Sequence, residues 1–119
     1  MNRLSVTTRT LPCGPVIDVA GELDHHSAPL VRDVLPRLRL GPGRQLLIDL
    51  GGLTFCDSTG ITVLIAARNH ALASHATIAL IAVPDRIRRT FRIVGLEQAF
   101  LVYPTVTEAE AAWTPSAPG

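Results

Sequence analysis

The chain has 119 residues, of which 47% are hydrophobic and 18% are charged, so one globular domain with one core is predicted and a disordered chain is excluded. The formal net charge is +1, which argues against a general binder of nucleic acid or of membrane surfaces. All eleven basic residues are arginine, which excludes a catalytic lysine.

The first third of the chain predicts a β-hairpin followed by a short helix. Leu4–Leu11 is rich in β-branched residues, as is typical of an edge strand, and Val16–Gly21 alternates in a way that lets it pair with that strand. Ser27 has the residue type and the position of a helix N-cap. Pro36 removes a helical hydrogen bond and clashes one turn back, so we expect the helix to bend or stop near Leu35.

Two buried strands with a helix between them are predicted next. Gln45–Leu50 and Ala76–Val83 are apolar runs of the kind found in strands that are covered on both faces. A helix is expected from Thr59 onward, because apolar residues recur there at helical spacing. Its predicted apolar stripe consists of Ile61, Leu64, Ile65 and Leu72.

The segment after Pro84 predicts a third helix, because proline suits the start of a helix and Gly95 suits its end. The predicted apolar face of this helix consists of Ile87, Phe91 and Val94. The helix also carries an arginine cluster at positions 86, 88, 89 and 92. We interpret this cluster as the solvated face of the helix, with a contact surface for an acidic partner as the second interpretation.

The carboxyl-terminal part predicts a short strand within residues 99–104 and a final helix within 105–113, for which Thr107 is a candidate cap. Strands that alternate with helices indicate an α/β fold with a mostly parallel sheet, and the opening hairpin makes that sheet mixed. We therefore predict a single domain over residues 1–113 and a flexible tail over 114–119.

Chemistry-bearing residues follow the second and third strands. The carboxyl ends of parallel strands meet at one rim of a sheet, so the segments GELDHHS and LTFCDSTG are expected to lie together there. Asp57 is predicted to cap the following helix by accepting a hydrogen bond from the N–H of Thr59 or Gly60. Capping accounts for Asp57 but does not require the hydroxyl of Ser58.

Three chemical alternatives for this region have less support. A nucleophilic serine between a strand and a helix requires GxSxG, and Cys56 stands where the first glycine is needed. A phosphate-binding loop requires GxxxxGK[ST], which the chain lacks. His25 and His26 are adjacent, with no acid or cysteine at ligand spacing, so we expect solvated loop histidines rather than a metal site. No cofactor is predicted.

Three segments are more informative together than alone: GELDHHSA, LLIDLGGLTFCDSTGITVLIAA and VPDRIRRTFRIVGLEQAF. In combination they resemble the bacterial anti-sigma-factor antagonists of the STAS domain family, over roughly Val16 to Phe100. The DSTG element is specific in combination with the apolar strand and the L-x-x-L-x-F segment that precede it. Pro36 departs from the usual first helix of the family, so the length of that helix is left open.

The resemblance implies a phosphorylation site at Ser58, which matches the serine that a partner kinase modifies in this family. Thr59 supplies a second hydroxyl as an alternative acceptor. The implied partner-binding surface consists of Asp24, His25, Asp57, Ser58, Thr59 and Gly60. In this arrangement Asp57 caps the helix, Ser58 is displayed, and Gly60 keeps the approach to Ser58 open.

The resemblance also implies partners. They are an anti-sigma factor that is itself a serine kinase, and a metal-dependent serine phosphatase that reverses the modification. The protein would be a non-enzymatic regulator that binds the anti-sigma factor when unphosphorylated and thereby releases a sigma factor. The alternative is a STAS accessory subunit of another complex, such as a phospholipid-transport ATPase, in which Ser58 is never phosphorylated.

A cytoplasmic location is expected from three features of the sequence. No stretch reaches the roughly 18 uninterrupted apolar residues of a membrane span. The first ten residues lack the apolar segment of a signal peptide. Cys13 and Cys56 lack CxxC spacing and are expected to be reduced. No contact with membranes or nucleic acid is predicted.

Overall fold

The computed structural model describes residues Leu4–Trp113, so the tail predicted at 114–119 lies outside the described residues. Five strands and four α-helices are described. In chain order they are β1 (Leu4–Leu11), β2 (Gly14–Leu23), α1 (Ala28–Val34), β3 (Gln45–Cys56), α2 (Ser58–Ala73), β4 (Thr77–Ile81), α3 (Asp85–Ile93), β5 (Leu101–Tyr103) and α4 (Val106–Ala112). Short 3₁₀ turns follow α1 at Leu35–Arg37 and α3 at Leu96–Gln98.

The strands form one mixed sheet in the order β1-β2-β3-β4-β5. β1 pairs with β2 in antiparallel orientation, and each later pair is parallel. The predicted α/β fold, with a hairpin opening a mostly parallel sheet, is therefore confirmed.

The sheet separates a larger core from a smaller one. Side chains alternate along a strand, so Leu46 and Ile48 of β3 enter the larger cluster while Leu47 between them enters the smaller one. The smaller cluster also contains Ala109 of α4. Trp113, just after that helix, donates a hydrogen bond from Nε1 to the carbonyl oxygen of Gly43 at 3.0 Å. Both faces of β3 are therefore covered, as the apolar run predicted.

β3 is longer than the sequence predicted. The sequence predicted a strand over Gln45–Leu50, but pairing with β2 continues to the pair Leu23 and Cys56. Two register shifts occur along this extension. A side chain at Gly52 would put its Cβ 2.8 Å from the Cβ of Ala20, so close approach of the two strands requires glycine there.

Three details of the helices differ from the predictions. Thr105 rather than Thr107 caps α4, because its side chain accepts a hydrogen bond from the N–H of Glu108 at 3.1 Å. Leu72 and Val94 were placed on buried faces but are 47% and 53% exposed. The side chains of α2 that are buried near its end are small, Ala67 and Ala71, and the apolar pattern did not distinguish these from the larger residues.

Proline and glycine mark helix ends as predicted. α1 ends at Val34, and Pro36 lies in the 3₁₀ turn that follows. Gly95 has a φ of 78°, a left-handed conformation that ends α3 and that glycine adopts without strain.

Candidate functional site

The carboxyl ends of β2 and β3 form one rim, as the sequence predicted. Leu23 pairs with Cys56, which are the last residues of their strands, and the N–H of Asp57 donates to the carbonyl oxygen of Leu23 at 3.2 Å. The segments that follow the two strands therefore start side by side. One leads into α1 through Asp24, and the other enters α2 directly.

Asp57 is the cap of α2. Its Oδ1 accepts a hydrogen bond from the N–H of Gly60 at 2.9 Å, and its backbone is extended. This is one of the two donors that the sequence predicted, and it satisfies an N–H that the helix itself leaves unpaired.

Ser58 is the first residue of α2 and is exposed. Its carbonyl oxygen accepts a hydrogen bond from the Thr62 hydroxyl at 2.9 Å, while its own hydroxyl forms no hydrogen bond with a residue of Leu4–Trp113. Thr59, next to it, is half-buried. Of the two neighbouring hydroxyls, that of Ser58 is therefore the more accessible.

Gly60 has a different role from the one expected. It is buried, and a Cβ there would lie 2.7 Å from the carbonyl oxygen of Leu23 and 2.8 Å from Sγ of Cys56. Glycine is thus required because the first turn of α2 packs directly against the ends of β2 and β3. It does not serve to keep the approach to Ser58 open.

The Asp24 carboxylate organises the loop between β2 and α1. Its Oδ1 accepts hydrogen bonds from the N–H of His26 at 2.9 Å and of Ser27 at 3.0 Å. The backbone hydrogen bond from Ser27 is the largest cause that holds the pKa of Asp24 below its ordinary value of 3.8. We conclude that this carboxylate is already engaged by its own loop.

Ser27 also belongs to the hydrogen-bond network of this loop, but it does not act as the helix cap that the sequence predicted. It occupies the N-cap position of α1, but its side chain makes no capping hydrogen bond. Instead its hydroxyl lies 2.7 Å from the carbonyl oxygen of Glu22 and accepts from the N–H of Asp24 at 2.9 Å. Asp-x-x-Ser spacing before a helix is the signal that points to such a loop, because both side chains readily bond nearby backbone.

Two further features lie beside the rim. His25 and His26 are exposed, with ring centroids 5.6 Å apart in an edge-to-face arrangement. Phe55, which sequence analysis did not select, is 48% exposed next to the end of β3. Phe55 is therefore an accessible aromatic side chain two positions before Asp57.

Cys56 is a structural rather than a reactive residue. Burial, and secondarily the charge of Asp57, raise the pKa of its thiol to about 12. No group of three or more metal-ligating side chains is found within Leu4–Trp113. Ser58 has no hydrogen-bonded histidine among the described residues, so the geometry of an activated nucleophile is not present there.

The arginine cluster of α3 lies on a solvated face, as interpreted from the sequence. Ile87 and Phe91 are buried on the other side of the helix. Nε of Arg88 and Nε of Arg92 lie 3.6 and 3.5 Å from Oε1 of Glu97. Within the described part of the chain, no helix has the length and apolar character needed to cross a membrane.

Comparison with known proteins identifies the family. A family model described as "Mlab, STAS domain" matches residues 6–103, so the chain belongs to the STAS domain family. The anti-sigma-B factor antagonist of Listeria monocytogenes is 36% identical over 80 residues, which cover 67% of this chain and 70% of that protein. The chain is thus a STAS domain protein related to anti-sigma-factor antagonists.

Solved structures agree in fold. An anti-sigma factor antagonist from Mycobacterium paratuberculosis is 25% identical, with a TM-score of 0.76 over 92% of this chain and 93% of that chain. The anti-sigma factor antagonist SpoIIAA in its unphosphorylated form is 21% identical, with a TM-score of 0.72 over 89% of this chain and 93% of that chain. The second likeness concerns the fold alone.

Proposed function

We propose that this protein is an anti-sigma-factor antagonist whose affinity for its partner is set by phosphorylation of Ser58. The observation that carries the proposal is the placement of Ser58. Its exposed hydroxyl has no hydrogen bond to a described residue and stands at the start of α2, directly after the Asp57 cap. A kinase needs such a hydroxyl to be accessible.

The proposed switch acts through charge. A phosphate on Ser58 adds about −1.5 to −2 charge at pH 7, beside the carboxylate of Asp57. The amino end of a sixteen-residue helix tolerates that charge, because the helix dipole and unpaired N–H groups favour anions there. The domain therefore stays folded while a partner that packs on the rim meets a new, desolvated charge.

The contact surface of the unmodified protein would consist of the exposed side chains around Ser58. Thr59, His25 and Phe55 contribute its accessible atoms. Asp24 and Gly60 act mainly from behind this surface, the first by holding its loop and the second by letting α2 approach β2 closely. The partner is an anti-sigma factor with serine kinase activity, and a metal-dependent phosphatase restores the unmodified state.

In this proposal the protein is a cytoplasmic regulator without catalytic activity of its own. The sequence match to an anti-sigma-B factor antagonist supports this class of partner. The second candidate is a STAS accessory subunit of another complex, such as a phospholipid-transport ATPase. The two candidates differ in whether Ser58 is ever modified.

The first experiment locates the phosphate. The protein is incubated with the anti-sigma factor kinase of its source cell and ATP, and intact-mass analysis and peptide mapping follow. We expect one phosphate on Ser58 and none in the Ser58→Ala variant. Label that persists in Ser58→Ala, on Thr59 or elsewhere, would contradict the assignment.

The second experiment tests the charge mechanism by calorimetric titration of the same kinase. Ser58→Ala loses at most one neutral hydrogen bond, about 0.5–1.5 kcal/mol, whereas a desolvated like-charge clash in Ser58→Asp costs several kcal/mol. We therefore expect Ser58→Asp to bind at least about tenfold more weakly than Ser58→Ala. Asn69→Asp is the matched control, because it adds the same charge at an exposed position farther along α2. Equal binding by Ser58→Ala and Ser58→Asp would favour the accessory-subunit candidate.

A further inference from the structure

A pocket lined by arginines lies at the end of the sheet opposite to Ser58. It has a volume of about 230 Å³ and is formed by the end of β1, the start of β2, the segment after α1 and the residue before β3. The lining residues are Thr8, Arg9, Thr10, Pro15, Arg37, Leu38, Arg39 and Arg44. We call this the arginine pocket.

The arginine pocket has more positive charge than its surroundings neutralise. Its described lining includes four arginines and no carboxylate, in a chain whose net charge is only +1. Arg9 pairs with Asp18, with Nε 3.1 Å from Oδ2. Arg37, Arg39 and Arg44 form no ion pair with a residue of Leu4–Trp113. Three cations therefore line one small pocket without an ion-pair partner among the described residues.

Arg44 contributes a buried hydrogen-bond donor without a partner within Leu4–Trp113. Its Nε is buried and has no hydrogen-bond partner among the described residues. A buried guanidinium N–H without an acceptor is unfavourable, and such groups in folded proteins usually have a partner. Arg44 is half-buried at the pocket wall, whereas Arg37 and Arg39 are exposed.

We propose that the arginine pocket binds a phosphate group. Guanidinium groups pair with phosphate oxygens through two parallel hydrogen bonds, and threonine hydroxyls such as that of Thr8 provide additional donors. A phosphate has enough oxygens to accept from several of these groups at once, and a cationic ligand is repelled. The group is carried either by a small soluble molecule or by a lipid headgroup.

This site is separate from the proposed switch. Arg44 precedes the first residue of β3, whereas Ser58 follows the last residue of that twelve-residue strand. A phosphate on Ser58 is therefore at the other end of the sheet and does not occupy the arginine pocket of the same molecule. Phosphate binding in the arginine pocket is independent of the proposed anti-sigma-factor function.

The test uses the full chain and two probes, inorganic phosphate and phosphatidylglycerol vesicles, at constant ionic strength. Phosphate binding is followed by the NMR shifts of the arginine Nε–H groups and of the Thr8 and Thr10 amides, and vesicle binding by co-sedimentation. We expect a saturable response to at least one probe. Response to phosphate alone indicates a soluble ligand, and response to vesicles indicates a headgroup.

Matched variants make the result specific. Arg37→Gln and Arg39→Gln each remove one exposed cation, and we expect at least about tenfold weaker binding, since each variant loses a charge-assisted hydrogen bond to the phosphate. Arg89→Gln makes the same change on the exposed face of α3 and should bind like the parent. The absence of a saturable response to both probes, or an equal loss in Arg89→Gln, would overturn the proposal.

Discussion

Ser27 should be worth more to the stability of the fold than its position before a short helix suggests. Its side chain is 2% exposed, donates to the carbonyl oxygen of Glu22 over 2.7 Å and accepts from the N–H of Asp24 over 2.9 Å. Ser27→Ala removes the hydroxyl that contacts both of these backbone groups. We expect this loss to lower the free energy of unfolding by about 1–3 kcal/mol.

Urea unfolding measures this cost, with Ser5→Ala as the control. Ser5 is exposed on β1, and its side chain forms no hydrogen bond with a residue of Leu4–Trp113, so removing its hydroxyl should change the free energy of unfolding by no more than about 0.5 kcal/mol. We expect the midpoint to fall in Ser27→Ala with little change in the denaturant dependence. Equal midpoints for the two variants would refute the view that the Asp24–Ser27 network holds the loop.

The hydrogen bonds of Asp24 also predict how this residue influences binding of the proposed anti-sigma factor. Asp24→Asn keeps an Oδ1 that accepts from the N–H groups of His26 and Ser27, whereas Asp24→Ala removes it. If Asp24 acts by positioning the loop, Asn should retain most of the partner binding that Ala loses. If its charge contacts the partner, the two variants should lose binding equally.

Three further predictions follow from the rim. Gly60→Ala should destabilise the fold by about 1–3 kcal/mol, because its Cβ would overlap Leu23 and Cys56. Gly41→Ala should not, because no atom of the described residues lies within 4 Å of a Cβ there, and equal denaturation midpoints for the two variants would contradict this. Cys56, whose pKa is raised to about 12, should resist iodoacetamide at about pH 8 until the protein unfolds, and rapid native labelling there would count against its burial. The pKa of Asp24 is lower in the folded state than its ordinary value of 3.8. The carboxylate therefore stabilises the fold fully above pH 3.8, and this stabilisation is lost as the pH falls through the lower folded pKa. Asp24→Asn should therefore show a flatter decline of stability at acid pH, which thermal melts across that range would measure.

Local chemistry explains what was predictable from the sequence. The apolar run at Gln45–Leu50 identified a strand with two covered faces, and Pro36 and Gly95 identified helix ends. Asp57 was predicted as a cap, and in the structure its carboxylate accepts a hydrogen bond from the N–H of Gly60. Each of these depends on residues within a few positions of one another, so the information is present in a short stretch of chain.

Long-range pairing explains what was missed. β3 continues beyond Leu50 because β2 pairs with it as far as Leu23, and no local pattern marks that continuation through two glycines. Gly60 is needed because α2 packs on Leu23, which lies 37 positions earlier in the chain.

The sequence by itself determined the alternation of strands and helices, the cap at Asp57 and the hydroxyl at Ser58. Only the tertiary structure decided that Asp24 and Ser27 bond to each other beside that hydroxyl, and that arginines from separate segments line one pocket. The physical reason is that hydrophobic periodicity specifies which face of each element is buried, whereas contacts between polar groups depend on strand register and on how the loops close. Register and closure are set by the whole sheet.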